Sequence, residues 1–222
     1  MKRIFAGEVY EALLQPNEVI FSYCKEVSDD KVLVAYKMYS LDTKTVTDVA
    51  KNVYLLSKFG VNYRTALEHC DNYVTASSIV FSSGSVFVCN TDGSAFLIDA
   101  DGECVWTGEL KYKGVAPSDI AVSNNTVWAS YAKAGILMRY NSATLREELR
   151  IGGQNSPFDK PNNIFVDNNI AVVSCSDSNK LVRVDLDNYT VEDYKEFTET
   201  VYSYLKNKDT EFVLMESGLY VL

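Results

Sequence analysis

The sequence predicts an all-β fold, a five-bladed β-propeller closed by its N-terminal strand, which completes the last blade. Three observations predict it: an internal repeat of about 44 residues, turn residues at regular intervals within each repeat, and a gradient of polarity across the strands of each repeat. The repeat shows when residues 117–139 are laid over residues 161–183 without a gap. Pro117, Ile120, Val122, Asn124, Asn125, Ser130, Leu137 and Arg139 recur 44 positions later as Pro161, Ile164, Val166, Asn168, Asn169, Ser174, Leu181 and Arg183, eight identities in 23 positions. A third copy lies 41 residues upstream, with Ile79, Ser82 and Val86 standing for Ile120, Ser123 and Val127. A four-stranded unit recurring at this period is the signature of a propeller blade. At about 44 residues per unit, 222 residues make about five.

The turns fall where such units need them. In the copy beginning near Ile79 they are Ser83-Gly84, Asp92-Gly93 and Asp101-Gly102, and Asp-Gly between apolar runs is a strong hairpin signal. The turn after the third strand recurs at Asp42, Asp99, Asn141 and Asp185, at intervals of 57, 42 and 44. The next would fall beyond residue 222. The chain therefore stops after a third strand at 218–222, and the strand at 3–10 lacks a partner before it. Pairing the two ties first blade to last and removes two exposed edges. An open ring, or one completed by oligomerisation, is the competing arrangement.

Second strands read as continuously apolar, as strands buried on both faces do: Val86-Phe87-Val88-Cys89, Ile170-Ala171-Val172-Val173, and by the same reading Val32-Leu33-Val34-Ala35. Outer strands at 145–150 and 190–194 carry the charge. The long first interval holds about 14 extra residues, within 51–72. A bulged outer strand, a short helix at 63–70, or a degenerate sixth blade would each account for them, and five blades are favoured over six. The whole chain, 1–222, is expected to form one domain.

Composition narrows the function. Lys and Arg number 21 against 30 Asp and Glu, a net charge of −9, whereas nucleic-acid binders need a basic footprint. With 47% hydrophobic residues the chain is too apolar for disorder. A single histidine excludes any site needing two within one chain. The apolar run after Lys2-Arg3 ends at Glu8, too short for a signal peptide, and no stretch approaches the ~18 apolar residues of a membrane span. The expectations are thus a soluble, cytoplasmic monomer with no nucleic-acid or membrane partner. The five cysteines, Cys24, Cys70, Cys89, Cys104 and Cys175, include no C-x-x-C pair and read as free core thiols. Cys89 and Cys104 belong to the second and fourth strands of one blade, about 9.5 Å apart at ~4.8 Å per strand, too far for a disulfide. The sequons at Asn124 and Asn188 mean nothing without secretion.

The segment 84–106, GSVFVCNTDGSAFLIDADGECVW, resembles the pyrroloquinoline-quinone-type propeller repeat, through Asp92-Gly93, Leu97-Ile98-Asp99-Ala100, Gly102 and Trp106. The unit at 161–187 is similar to NHL and YVTN propeller repeats, with Asn163-Ile164-Phe165-Val166-Asp167 standing for their "GIAVD" strand. The resemblance implies the fold and no cofactor, because fold does not carry function.

Chemistry-bearing motifs are sparse. There is no nucleophile elbow, phosphate-binding loop, dinucleotide fingerprint or zinc-protease motif. His69 and Cys70, read as strand neighbours, would face opposite ways and form no dyad. Residues 99–103 look like part of a calcium loop, but position 12 from Asp99 is Leu110, not Glu, so a hairpin turn is expected. Among five-bladed folds, glycosidases pair carboxylates near the axis; Asp71, Asp92, Asp119 and Asp177 are the acids that could converge. A resemblance to gluconolactonase-like propellers would imply an axial divalent ion on Asn162, Asn163 and Asp177, with Ser118, Asp119 and Lys133 at the corresponding places one blade earlier. Lys133 would repel such an ion, and no catalytic or metal-binding residue is assigned.

The preferred reading is a non-catalytic binding module or scaffold, recognising a protein or small ligand through one ring face, because loops on rigid scaffolds carry recognition. Candidate ligand-binding residues are Asp92, Tyr112, Asp119, Tyr131, Phe158, Asn163 and Asp177, all on loops or strand ends expected at that face. Tyr is enriched at interfaces, and an acidic, Tyr-bearing face would suit a basic protein or a sugar. The alternative is a small metal-assisted hydrolase or lactonase with an axial site.

Overall fold

The computed structural model describes residues 1–28, 31–123 and 126–222. Asn124 and Asn125, part of the repeat and of one sequon, lie outside the described residues. Five four-stranded antiparallel sheets form the ring. Blade 1 is β2 (Val9–Gln15), β3 (Glu18–Ser28), β4 (Lys31–Ser40) and β5 (Val46–Asp48). Blade 2 is β6 (Ser77–Val80), β7 (Val86–Cys89), β8 (Ser94–Ile98) and β9 (Cys104–Glu109). Blade 3 is β10 (Asp119–Ser123), β11 (Thr126–Tyr131), β12 (Ile136–Asn141) and β13 (Glu147–Gly152). Blade 4 is β14 (Pro161–Asp167), β15 (Ile170–Cys175), β16 (Lys180–Asp185) and β17 (Val191–Glu196). Blade 5 takes β18 (Val201–Asn207), β19 (Thr210–Met215) and β20 (Gly218–Val221) from the C-terminus, and β1 (Lys2–Ala6) from the N-terminus as its outer strand. The 44-residue offset holds element for element, since β11 begins at 126 and β15 at 170.

The closure is antiparallel, with Lys2 opposite Val221 and Ala6 opposite Gly218. It depends on Gly218, at φ 143°, where an added Cβ would lie 2.0 Å from the Phe5 carbonyl oxygen. Phe5 then packs on Phe21 and Tyr23 of blade 1, with ring centroids 5.2 and 4.8 Å apart, so the closing strand also joins blade 5 to blade 1.

Neighbouring blades pack face to face through apolar layers. Phe87 and Ala95 of blade 2 meet Ile120 and Val127 of blade 3, and equivalent layers join blades 3 to 4, 4 to 5 and 5 to 1. The interface between blades 1 and 2 differs, because the extra residues fill it. Helices α1 (Lys51–Phe59) and α2 (Tyr63–His69), linked by a 3-10 turn at Gly60–Asn62, stand between the two sheets. Tyr54, Leu55 and Phe59 of α1 and Ala66 of α2 share one core with Ile20 and Tyr36 of blade 1 and with Val88 and Phe96 of blade 2. Positions 54, 55, 58 and 59 form one helical face. Of the three arrangements that would account for the extra residues, the short helix is the one present, over Tyr63–His69, joined by a second over Lys51–Phe59, and the ring has five blades.

Two readings of the strands need correction. Val32-Leu33-Val34-Ala35 belongs to β4, the third strand, and Val32 and Leu33 are 49% and 52% exposed. The cause is length: β3 and β4 run past β5, which spans three residues and pairs only with Lys37, Met38 and Tyr39. His69 and Cys70 close a helix and are not strand neighbours, and the His69 ring lies 5.3 Å from that of Phe96. The cysteines are free thiols. Within blade 2, Cys89 pairs with Ala95 at one end of β8 and Cys104 with Ile98 at the other. Burial pushes the Cys89 thiol up to about 12 and that of Cys175 to about 11, which keeps both unreactive.

The turns after the third strands of blades 2 to 4 share one device. Asp99, Asn141 and Asp185 each turn one side-chain oxygen back onto two backbone N–H groups of the same turn, an Asx arrangement that suits Asp and Asn. Residues 99–103 are thus a hairpin turn.

Candidate functional site

The first strands of the five blades surround the axis and enclose a cavity of about 490 Å³. Near its loop end, matching positions carry polar side chains. Glu11 stands opposite Ser22, Asp119 opposite Ser130 and Asn163 opposite Ser174, and all three serines are buried. In blades 1, 4 and 5 the register shifts just before this level, at Val9/Glu11, Pro161/Asn163 and Val201/Ser203. Such bulges re-aim side chains.

Hydrogen bonds link the blades here. Asn163 Nδ2 donates to Asp119 Oδ2 at 2.6 Å, the Ile164 N–H donates to the same oxygen at 3.2 Å, and Asn163 Oδ1 accepts from the Tyr204 N–H at 3.0 Å. Blades 3, 4 and 5 are thereby joined through one amide. Burial raises the Asp119 carboxyl to about 6, the nearby Glu11 adds to the rise, and the donated hydrogen bonds partly oppose it. Across the axis, Glu11 accepts from Tyr54 and from Lys58 Nζ, the latter at 2.7 Å. The Lys58 side chain is wholly buried and also reaches the Val74 carbonyl at 3.3 Å, so α1 inserts a cation into the gap between blades 1 and 2.

The other expected residues do not join this group. Asp92 accepts from the Ser94 N–H and hydroxyl at 2.8 and 2.6 Å, which lowers its pKa and commits it to its own turn. Asp71 accepts from Thr91 at 2.5 Å. Asp177 forms an ion pair with Lys160 at 3.1 Å and lines a different cavity from Asn162 and Asn163. The four acids do not converge. Among the described residues no three His, Cys, Asp or Glu side chains are grouped closely enough to hold a metal ion. Tyr131 and Phe158 are buried in the interblade layers, although Phe158 also borders the recess that Asp177 lines. The Tyr131 hydroxyl is hydrogen-bonded to that of Tyr140 at 2.6 Å.

Tyr112 occupies a different setting. It borders a recess of about 600 Å³ on the loop face of blade 3. Tyr112 and Val115 exchange backbone hydrogen bonds of 2.9 Å across a two-residue turn. Its central residues, Lys113 and Gly114, have φ 49° and 80°. Two successive positive φ values match the type I′ arrangement, which glycine tolerates and lysine adopts at some cost. Arg150, on the outer strand, donates to the Tyr112 hydroxyl at 2.9 Å. Lys113 and Arg150 both lie over the Tyr112 ring, 5.3 and 5.5 Å from its centroid. Lys133, exposed at the β11–β12 connection, completes the lining with Lys113 and Arg150, and no lining residue is acidic. The lining of this recess is basic, whereas the adjoining recess, which shares Lys133, is lined by Asp159 and Asp177.

No family model matches the chain, and no curated protein sequence does. Solved structures do. A protein of unknown function from Bacteroides caccae shares 12% identity at a TM-score of 0.54, over 93% of this chain and 70% of that one. Streptogramin B lyase shares 10% identity at 0.54, over 98% and 69%. The computationally designed Ika8 protein shares 11% identity at 0.53, over 96% and 70%. The likeness is one of fold. No helix is long and apolar enough to cross a membrane among the described residues.

Sequence reasoning missed Glu11, Lys58 and Arg150. For Glu11 a signal existed: Val9-Tyr10-Glu11-Ala12-Leu13 repeats as Val201-Tyr202-Ser203-Tyr204-Leu205, with three identities. Lys58 carried no such mark, because its role depends on where the helices sit.

Proposed function

We propose that the protein is a non-catalytic binding module that engages its ligand through the loop face of the ring. One observation carries this reading: the recess beside Tyr112 is lined by charged side chains that the core does not require. Lys113 and Lys133 are exposed and, among the described residues, form no ion pair. On the opposite face, Asp99, Asn141 and Asp185 spend their polar atoms on their own turns. Loops held by a rigid sheet scaffold are the usual seat of recognition. The test is a fragment screen on the isotope-labelled full chain by NMR. Shifts confined to residues 110–118, 132–135 and 150–160 support the reading. Ligands that map only to the opposite face overturn it.

The alternative, a small metal-assisted hydrolase or lactonase working at the axis, draws on Asp119, whose carboxyl at about 6 could exchange a proton near neutral pH. Turnover of a lactone or ester panel with added divalent ions, abolished by Asp119→Asn, would favour it.

A further inference from the structure

We infer that the recess beside Tyr112 binds the phosphate group of a small phosphomonoester. The inference rests on the loop-face reading above and names the ligand class. Lys113, Lys133 and Arg150 bring three positive charges to one recess in a chain of net charge −9. Two of them, Lys113 and Arg150, lie 5.3 and 5.5 Å from the centroid of one aromatic ring, and several charges of one sign lining a recess raise its attraction for a counter-ion. A doubly charged oxyanion is drawn to such a lining in a way a neutral ligand is not. The donors also have a suitable form. Arg150 presents a planar guanidinium, which matches phosphate geometry, and Lys133 a flexible ammonium. Because the Tyr112 oxygen accepts from Arg150, its own hydroxyl proton is left to donate elsewhere. Its ring rests edge-on against the buried Tyr131, with centroids 6.0 Å apart, so the phenol is held from behind.

Backbone shape adds to this. Gly152 and Gly153 line the recess at φ 96° and 111°. A Cβ at Gly152 would lie 2.5 Å from the Gly135 carbonyl oxygen, whereas one at Gly153 would meet nothing within 4 Å. The wall at Gly153 is therefore open to an incoming group. The volume, about 600 Å³, exceeds what a bare phosphate fills and suits a small organic ester.

The test is calorimetric titration of the full chain with phenyl phosphate, inorganic phosphate and benzyl alcohol. The expected result is saturable phenyl phosphate binding, tighter than inorganic phosphate, with none for benzyl alcohol. Lys133→Gln and Arg150→Gln should each weaken it about tenfold, as loss of a charge-assisted hydrogen bond does, with unchanged melting temperatures. Lys44→Gln, exposed on a turn of the opposite face, should leave it unaltered. Equal affinity for inorganic phosphate overturns the assignment to an ester, and full affinity in both cleft variants overturns the site. If phenyl phosphate fails to bind while neutral fragments still map to the loop face, the phosphate assignment falls and the broader reading stands. If nothing maps there, both fall.

Discussion

Asn163 of blade 4 donates its amide to the carboxylate of Asp119 on blade 3 across 2.6 Å, at the centre of the ring. The acid is held where burial raises it to about 6 from an ordinary 3.8. The folded chain therefore binds this proton more tightly than the unfolded one. Its contribution to stability is fully present below about pH 4 and is lost as pH rises through about 6. Asp119→Asn keeps an acceptor for Asn163 and removes the titration. Other acids slope the opposite way, Asp92 and Asp48 being lowered by hydrogen bonds from Ser94 and Lys37, so the informative quantity is the difference between the two proteins. Urea unfolding at pH 4 and pH 7 should show the variant gaining on the order of 2 kcal/mol relative to wild type over that interval. Parallel pH profiles would refute the assignment.

The ion pair between Lys58 and Glu11 is lopsided in burial, with side chains 0% and 23% exposed. Removing Glu11 strands a charge with no access to water, whereas removing Lys58 leaves a carboxylate that water can reach. Glu11→Ala should cost about 3 kcal/mol or more, and Lys58→Met distinctly less. Chemical denaturation of both variants checks this, and equal losses would count against it.

Gly218 admits no side chain beneath β1. Gly218→Ala should destabilise by roughly 1–3 kcal/mol, the usual range for forced overpacking. Amide exchange should accelerate first in β1 and β20. Uniform loss of protection across all blades would show that the closing strand is not where the strain falls.

Tyr131 shares a buried hydrogen bond with Tyr140. Tyr131→Phe leaves the Tyr140 hydroxyl only the Met138 Sδ as a partner, at 3.4 Å, and should cost about 1 kcal/mol. Thermal unfolding measures the loss. Ligand binding at the Tyr112 recess should change little, since the ring that supports Tyr112 is retained.

The ring itself was legible because blades repeat. Asp99, Asn141 and Asp185 mark equivalent turns, and the Asx bonds they make are local enough for sequence to encode; in blade 1 the corresponding position is Ser40, whose hydroxyl accepts from the Thr43 N–H, and not Asp42. The missing fourth strand at the C-terminus pointed to β1 for the same reason. The site was less legible, because its parts come from different blades. Asp119 and Asn163 were found through the repeat, at matching positions 44 residues apart, though nothing in sequence shows that they touch. Tyr131 and Phe158 look like loop aromatics, yet neighbouring blades bury them, Tyr131 against blade 2 and Phe158 between blades 3 and 4. Arg150 lies on an outer strand whose charges read as a solvated rim, and only the fold of the 110–118 connection brings Tyr112 to it. Val32 and Leu33 misled because an apolar run reads the same whether a neighbouring strand covers it or stops short.

Lys2 and Val221 lie side by side although 219 positions separate them along the chain, 221 less 2. During synthesis β1 is the first strand of the ring to emerge and its partner β20 the last. Blades 1 to 4 can form as each is completed, while β1 stays unpaired until β20 has been made. Joining such distant segments is entropically slow, so the ring closes only after all five blades exist. Until then the nascent protein presents an unmatched strand that chaperones or a second copy could capture.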